Sequence, residues 1–115
     1  MNDTTFIKNV LDDDTIVIET GNRLDNNNAH EMVETIVSIQ IQGTKNIIID
    51  MQKLEFISSA GVGSVLGTVE TSREMGGDIT LCNASSAIMQ VLEILDLVDY
   101  LTIKANMTDA IQPGA

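Results

Sequence analysis

Three consecutive isoleucines, Ile47–Ile49, constrain the fold of this chain more than any other feature of its sequence. Asn46 and Asp50 bound the run on its two sides, so the apolar stretch has the length of one strand. Successive side chains of a strand point to opposite faces, and an uninterrupted apolar strand must therefore be buried on both. The run predicts a central strand of a sheet that other elements cover.

Segments with the pattern of strands alternate along the chain with segments that have the pattern of helices. Short apolar or β-branched runs predict five strands: Thr5–Leu11 and Thr15–Glu19, joined as a hairpin by Asp12–Asp14, then Asn46–Asp50, Ile79–Cys82 and Leu101–Ile103. The spacing of apolar residues predicts helices that begin at Ala29, after Ser58-Ser59 and after Ser85-Ser86, with a last helical turn over residues 108–111. Gly43 and Gly76-Gly77 are predicted to end the first two helices.

This order of elements predicts an α/β fold, with a mixed sheet of four or five strands and helices packed mainly on one face. A length of 115 residues is within the usual size of one domain. We therefore expect a single domain over residues 1–115, with its core over about 5–111 and a short tail at 112–115. Turn-forming residues fill Gly21–Asn28, and a loop over Met51–Ile57 is predicted to lead into the second helix.

The charge of the chain argues against several classes of partner. Six basic and seventeen acidic residues give a net charge of −11, which opposes binding to nucleic acid and to anionic membrane surfaces. No apolar run approaches the ~20 residues of a membrane span, and the polar, acidic start, Met1–Thr5, is not that of a secretory signal. The one cysteine cannot form an internal disulfide, which fits a reducing compartment. We expect a cytoplasmic protein whose partners include neither nucleic acid nor membrane.

The residues that catalysis or metal binding would need are few and scattered. His30, the one histidine, lies in the first predicted helix and is interpreted as a surface residue. Cys82 ends a predicted buried strand, where a thiol is usually inert. Asp12–Asp14 lack a calcium-loop pattern and are interpreted as a solvated hairpin tip. The sequence thus predicts no enzymatic activity, no metal site and no cofactor.

A glycine-rich stretch, Gly61–Gly67, begins the second predicted helix and invites comparison with phosphate-binding loops. Its spacing is G-x-G-x-x-x-G, without the Gly-Lys-Ser/Thr of a P-loop, and no βαβ unit precedes it as a dinucleotide site requires. We interpret Gly63 and Gly67 as positions where the helix packs closely on the sheet. A small enzyme or nucleotide-binding protein that uses this turn is kept as one functional hypothesis.

Two adjacent serines, Ser58 and Ser59, precede this helix. A serine hydroxyl at a helix start can accept a hydrogen bond from a free backbone N–H and so cap the helix, which contributes about 1 kcal/mol. The same position is exposed, and the positive end of the helix dipole would stabilise a phosphate attached there. The residue types alone do not choose between a cap and a phosphorylation site.

The stretch from Ile47 to Leu66, with the core Phe56-Ile57-Ser58-Ser59-Ala60-Gly61, resembles the central motif of STAS domains. In that motif a buried strand ends in Asp, a short apolar loop follows, and a helix begins at Asp/Ser-Ser-Ser/Ala/Thr-Gly. Leu24-Asp25, the strand after Gly76 and the segment Ile94–Leu97 add to the resemblance, which extends from about Thr5 to Ile111. The chain is most similar to the single-domain anti-sigma-factor antagonists of bacteria, also called anti-anti-sigma factors.

The resemblance implies a partner-switching function in the regulation of transcription. Unphosphorylated antagonists of this family sequester an anti-sigma factor, a serine kinase with the fold of histidine-kinase-like ATPases, and so free a sigma factor. Phosphorylation of the serine two residues before the glycine, here Ser59, blocks this binding, and a PP2C-type phosphatase reverses it. The best-known members carry Asp where this chain has Ser58.

The resemblance also implies a recognition surface around the phosphorylated serine. It comprises Asp25, Asn26, Ser58, Ser59, Ala60, Gly61 and Val62. The free protein is expected to be a monomer. The alternative within the family is a STAS scaffold, in a signalling or transport complex, that is never phosphorylated. The intact mass of the protein from its own cells would separate the two hypotheses, because only the first predicts a phosphate.

Overall fold

The computed structural model describes residues 6–111, which form seven strands and four helices. The strands are β1 (Ile7–Asp12), β2 (Thr15–Glu19), β3 (Arg23–Leu24), β4 (Asn46–Asp50), β5 (Phe56–Ile57), β6 (Asp78–Cys82) and β7 (Thr102–Lys104). The helices are α1 (Ala29–Ile41), α2 (Ser59–Glu74), α3 (Ser86–Ile94) and α4 (Met107–Ile111). Thr5, where the first strand is predicted to begin, and the predicted tail 112–115 lie outside the described residues.

Five of the strands form the main sheet, in the order β1-β2-β4-β6-β7. β1 is antiparallel to β2, and the other three neighbouring pairs are parallel. The prediction of a mixed sheet is confirmed, and the isoleucine strand β4 lies at its centre. Ile47 and Ile49 are fully buried and Ile48 is 3 % exposed, as the uninterrupted apolar run predicts.

The two faces of the main sheet are covered to different extents. Ile47 and Ile49 belong to the large hydrophobic core, to which α1, α2 and α3 all contribute side chains. Ile48 points to the opposite face, where it joins Val17 and Cys82 in a small cluster. Two partly buried apolar side chains of the short helix α4 pack against this cluster. The prediction that helices lie mainly on one face is confirmed, with α4 as the one described helix on the other.

The helix ends follow the signals in the sequence. Gly43 and Gly76 follow α1 and α2 with φ of +97° and +92°, a left-handed backbone that glycine adopts without strain. Ser85 caps α3, because its hydroxyl oxygen accepts a hydrogen bond from the Ile88 N–H at 3.2 Å. No helix within residues 6–111 is both long and apolar enough to cross a membrane.

Two short strands lie in segments that are predicted to be loops. β3 lies within Gly21–Asn28 and β5 within Met51–Ile57, and they pair in parallel as a separate two-stranded sheet. Each has only two residues, too few for a periodic pattern to be visible in the sequence. β7 begins one residue later than predicted, at Thr102, and α4 one residue earlier, at Met107.

Replacement of Ile48 by Asp tests the central position of β4. We expect Ile48→Asp to unfold the chain, because an unpaired buried charge costs several kcal/mol. Val10→Asp is the matched control, because it puts the same charge into edge strand β1 where the side chain is 76 % exposed, and it should leave the chain folded. Circular dichroism during urea titration measures both variants. Rapid amide hydrogen exchange along Ile47–Ile49 in the unaltered chain would contradict the assignment.

Candidate functional site

The start of α2 is built around a serine cap. Ser58 has an extended backbone, with φ of −97° and ψ of 173°, and its Oγ accepts a hydrogen bond from the Gly61 N–H at 3.2 Å. Its carbonyl oxygen accepts the first helical hydrogen bond, from the Val62 N–H at 2.9 Å. Ser58 is therefore the N-cap residue, and Ser59 is the first residue inside the helix.

The two serines differ in exposure and in hydrogen bonding. Ser59 is exposed, and its side chain makes no hydrogen bond to any residue in 6–111. Ser58 is half-buried, and its hydroxyl is engaged by the Gly61 N–H. The sequence did not show which serine caps the helix and which is exposed. In the folded chain Ser58 is the cap, and the side chain of Ser59 is exposed to solvent.

The loop that follows β3 packs against the start of α2. Parallel pairing of β3 with β5 places Leu24 beside Ile57. Just beyond β5, the Leu24 carbonyl oxygen accepts a hydrogen bond from the Ser58 N–H at 3.0 Å. The Ser58 hydroxyl in turn donates to Asn26 Oδ1 at 3.4 Å, so two residues of the predicted surface that are 32 positions apart are in contact.

Gly61 makes this close approach of loop and helix possible. A Cβ atom at Gly61 would lie 2.3 Å from the Leu24 carbonyl oxygen, a separation at which no side chain fits. The interpretation of Gly63 and Gly67 as close-packing positions is wrong, because both are exposed and no atom lies within 4 Å of where their Cβ atoms would be. The glycine that packing requires is the one nearest the cap.

Asp25 is fixed within the loop by hydrogen bonds of its carboxylate and of its backbone. Its Oδ1 accepts from the Asn27 N–H and its Oδ2 from Arg23 Nε, each at 3.0 Å, and its own N–H donates to Asn28 Oδ1 at 2.9 Å. The hydrogen bond from Asn27, and next that from the Arg23 guanidinium, lower the pKa of Asp25, so its carboxylate is ionised at neutral pH. Its side chain is only 13 % exposed, and both of its oxygens are already engaged.

The residues of the predicted recognition surface fall into two groups. Asn26 and Ser59 are exposed and Ala60 is half-buried around the helix start. Gly61 and Val62 are buried, the first against the β3 loop and the second in the main core. The resemblance implies that these two belong to the surface itself, whereas in the folded chain both are buried beneath it.

Two residues that the sequence analysis did not place in the recognition surface, Arg23 and Phe56, lie beside it. The Arg23 guanidinium carbon is 4.6 Å from the centroid of the Phe56 ring, and Phe56 is 44 % exposed. The chain has only two Phe and one Tyr, so an aromatic residue two positions before the serines is the signal that could have identified this pair.

The other reactive side chains have structural or solvent-exposed environments. His30 is exposed on α1. Burial, and next the charge of Asp50, raise the pKa of Cys82 to about 11, so its thiol stays protonated. Asp12 accepts a hydrogen bond from the Asp14 N–H at 2.8 Å, within the turn predicted as the hairpin tip. Within the described part of the chain, no three side chains of His, Cys, Asp or Glu are grouped to hold a metal ion.

A pair of glycine substitutions tests the contact between loop and helix. We expect Gly61→Ala to destabilise the chain by about 1–3 kcal/mol, because the added methyl group overlaps the Leu24 carbonyl. Gly67→Ala adds the same methyl group to an open position of the same helix and should stabilise by up to about 1 kcal/mol. Urea denaturation of the two variants measures the difference, and equal stabilities would contradict the close contact.

Comparisons with known proteins identify the family of the chain. The family model for the STAS domain matches residues 6–110. BtrV of Bordetella bronchiseptica, provisionally named an anti-sigma factor antagonist, is 28 % identical over 81 residues, which are 70 % of this chain and 69 % of that protein. The anti-sigma-B factor antagonist of Staphylococcus epidermidis is 22 % identical over 97 residues, 84 % of this chain and 90 % of that protein.

A solved structure gives the same result for the fold. The cell fate determinant SpoIIAA of Bacillus, solved in its phosphorylated form, superposes with a TM-score of 0.73 and 27 % sequence identity. The match covers 93 % of this chain and 96 % of that one. Because the family model spans nearly all of the described residues, and the fold agrees over the same range, this chain belongs to the STAS domain family.

Proposed function

We propose that this protein is an anti-sigma-factor antagonist, a binding module whose affinity is switched by phosphorylation of Ser59. In its unphosphorylated form it sequesters an anti-sigma factor serine kinase in the bacterial cytoplasm and thereby frees a sigma factor for transcription. The kinase has the fold of histidine-kinase-like ATPases, and a PP2C-type phosphatase resets the switch. The observation that carries the proposal is the exposed side chain of Ser59 at the first position of α2, whose hydroxyl makes no hydrogen bond within residues 6–111.

The helix start supports Ser59 as a phosphate acceptor. The N–H groups of Ser59 and Ala60 lie in the first turn of α2, where no earlier helical carbonyl can accept from them, so they can face an added phosphate. The positive end of the α2 dipole stabilises the negative charge of a phosphoserine, which is about −1.5 to −2. The fold therefore tolerates the modification, and its effect falls on the partner.

Ser58 is the less suitable of the two serines. Its hydroxyl is half-buried and donates a hydrogen bond to Asn26 Oδ1, and a phosphate ester on Ser58 would have no proton for that hydrogen bond. Phosphorylation in the family is supported by a relative, since SpoIIAA has been solved in a phosphorylated form.

The switch acts through the binding interface. The part of the kinase surface that faces the small hydroxyl of Ser59 has no space for a tetrahedral phosphate and no positive charge to neutralise it. An uncompensated charge at an interface costs a few kcal/mol, which lowers affinity by about a hundredfold or more. The net charge of the chain, −11, assists the encounter with a basic kinase surface before this short-range contact forms.

Phosphosite mapping tests the acceptor. After incubation with ATP and each histidine-kinase-like ATPase from the same genome, we expect phosphate on Ser59 of the wild type and of Ser58→Ala, and none on Ser59→Ala. Ser59→Ala should bind the kinase even after incubation with ATP, because it cannot be phosphorylated. Ser59→Glu should fold normally and bind poorly. Phosphate on Ser58, or full affinity of Ser59→Glu, would overturn the proposal. If none of these kinases modified the chain, the phosphorylation-free scaffold would be the better account.

Ionic strength tests the contribution of charge. We expect the association rate with the kinase to fall by about tenfold as NaCl rises from roughly 50 to 500 mM, because salt screens the attraction between an acidic and a basic surface. The dissociation rate should change much less, because salt screens the contacts within a formed interface less than the long-range attraction. Stopped-flow measurement separates the two rates. An association rate that does not change with salt would contradict electrostatic attraction to the kinase. The acidic residues would then contribute only to solubility.

A further inference from the structure

Arg23 and Phe56 form an exposed pair beside the candidate site. The guanidinium carbon lies 4.6 Å from the ring centroid, within the range of a cation–π contact. The Arg23 side chain is 57 % exposed and Phe56 is 44 % exposed, so neither is part of the core. Arginine and aromatic residues are over-represented among the few residues that carry most of the energy of an interface.

The pair is held in place before any partner arrives. Asp25 Oδ2 accepts the Arg23 Nε hydrogen bond at 3.0 Å, and the Asp25 carboxylate is itself held by the Asn27 N–H. The Asp25 backbone N–H is held by Asn28, whose own amide donates to the Arg23 carbonyl at 2.9 Å. An arginine fixed in one conformation loses less entropy on binding than a free one.

The pair also shares a rigid support with Ser59. β3–β5 pairing places Arg23 directly beside Phe56, and the next pair in the register, Leu24 with Ile57, leads into the Ser58 cap. The Asn22 carbonyl oxygen accepts hydrogen bonds from the N–H groups of Glu55, just before β5, and of Phe56, at 2.8 and 3.1 Å. Ser59 and the Arg23–Phe56 pair are therefore two parts of one surface.

We propose that the Arg23–Phe56 pair is the affinity anchor for the kinase, and that Asp25 is a positioning residue that acts through Arg23. This inference rests on the proposed function. The pair fits a carboxylate that lies beside an apolar side chain on the kinase, since Asp25 engages only the Nε of the exposed guanidinium and the ring is partly exposed. The phosphorylation state of Ser59 then determines whether the rest of the interface can form around this anchor.

Binding affinities of matched variants test the anchor. The probe is the purified kinase that phosphorylates the wild-type chain, titrated calorimetrically without ATP. We expect Arg23→Ala and Phe56→Ala each to weaken binding by about tenfold or more, with the melting temperature nearly unchanged because both side chains are exposed. Lys8→Ala and Ile41→Ala, which remove an exposed cation and an exposed apolar side chain elsewhere, should bind as the wild type does.

A double-mutant cycle tests the role of Asp25. Asp25→Asn should weaken binding less than Arg23→Ala does, and the combination of the two should bind no worse than Arg23→Ala alone. Arg23→Lys should also bind more weakly than the wild type, because an ammonium cannot reproduce the planar, stacked guanidinium. Additive losses for Arg23→Ala and Asp25→Asn would show that Asp25 contacts the kinase directly and would overturn its positioning role.

The outcomes separate this inference from the function on which it rests. Wild-type affinity of Arg23→Ala and Phe56→Ala, with Ser59→Glu still unable to bind, would overturn the anchor and leave the phosphorylation switch intact. If Arg23→Lys bound the kinase with wild-type affinity, a positive charge alone would be sufficient at this position. That result would overturn the proposed role of the stacked guanidinium. Absence of kinase binding by the wild-type chain itself would overturn both proposals.

Discussion

The contact between the Leu24 carbonyl and the backbone at the start of α2 is the interaction on which the candidate site depends. That one oxygen accepts the Ser58 N–H at 3.0 Å and lies where a Cβ atom of residue 61 would be. A glycine at position 61 is thus the condition for the loop after β3 to lie directly on the helix. The contact brings Asn26 to Ser58 and leaves the Ser59 side chain exposed.

The main sheet supplies a rigid base for this contact. β4 is flanked by two strands on each side and covered on both faces, so the chain that leaves it enters the β5 segment from a fixed position. Parallel strands bring their carboxyl ends to one edge of the sheet, which is where ligand sites of α/β folds occur. In this chain the segment that leaves that end of β4 leads through β5 to the start of α2.

Local signals in the sequence were sufficient for most of the fold. The run Ile47–Ile49 indicates burial on two faces whatever the neighbouring strands are. Gly43 and Gly76 indicate helix ends because glycine adopts a left-handed backbone without strain, which is a property of the residue and not of its surroundings. Ser58 and Ser59 marked the start of α2, although only the folded backbone reveals which of the two is the cap.

Features that depend on distant segments could not be derived in this way. Gly61, Gly63 and Gly67 have identical side chains, and only the position of the β3 loop distinguishes the one that packs closely. The Arg23–Phe56 contact joins residues of two strands that are each two residues long, below the length at which a pattern is visible. The cover of the second sheet face by α4 likewise depends on tertiary packing.

The central claim is that a phosphate on Ser59 changes binding and leaves the fold unchanged. The most direct measurement compares the unphosphorylated chain with the enzymatically phosphorylated chain, in calorimetric titration against the kinase and in thermal unfolding. We expect the phosphate to lower affinity by about a hundredfold or more, while the melting temperature stays within a few degrees. Equal affinities of the two forms, or a phosphorylated chain that no longer folds, would contradict this account.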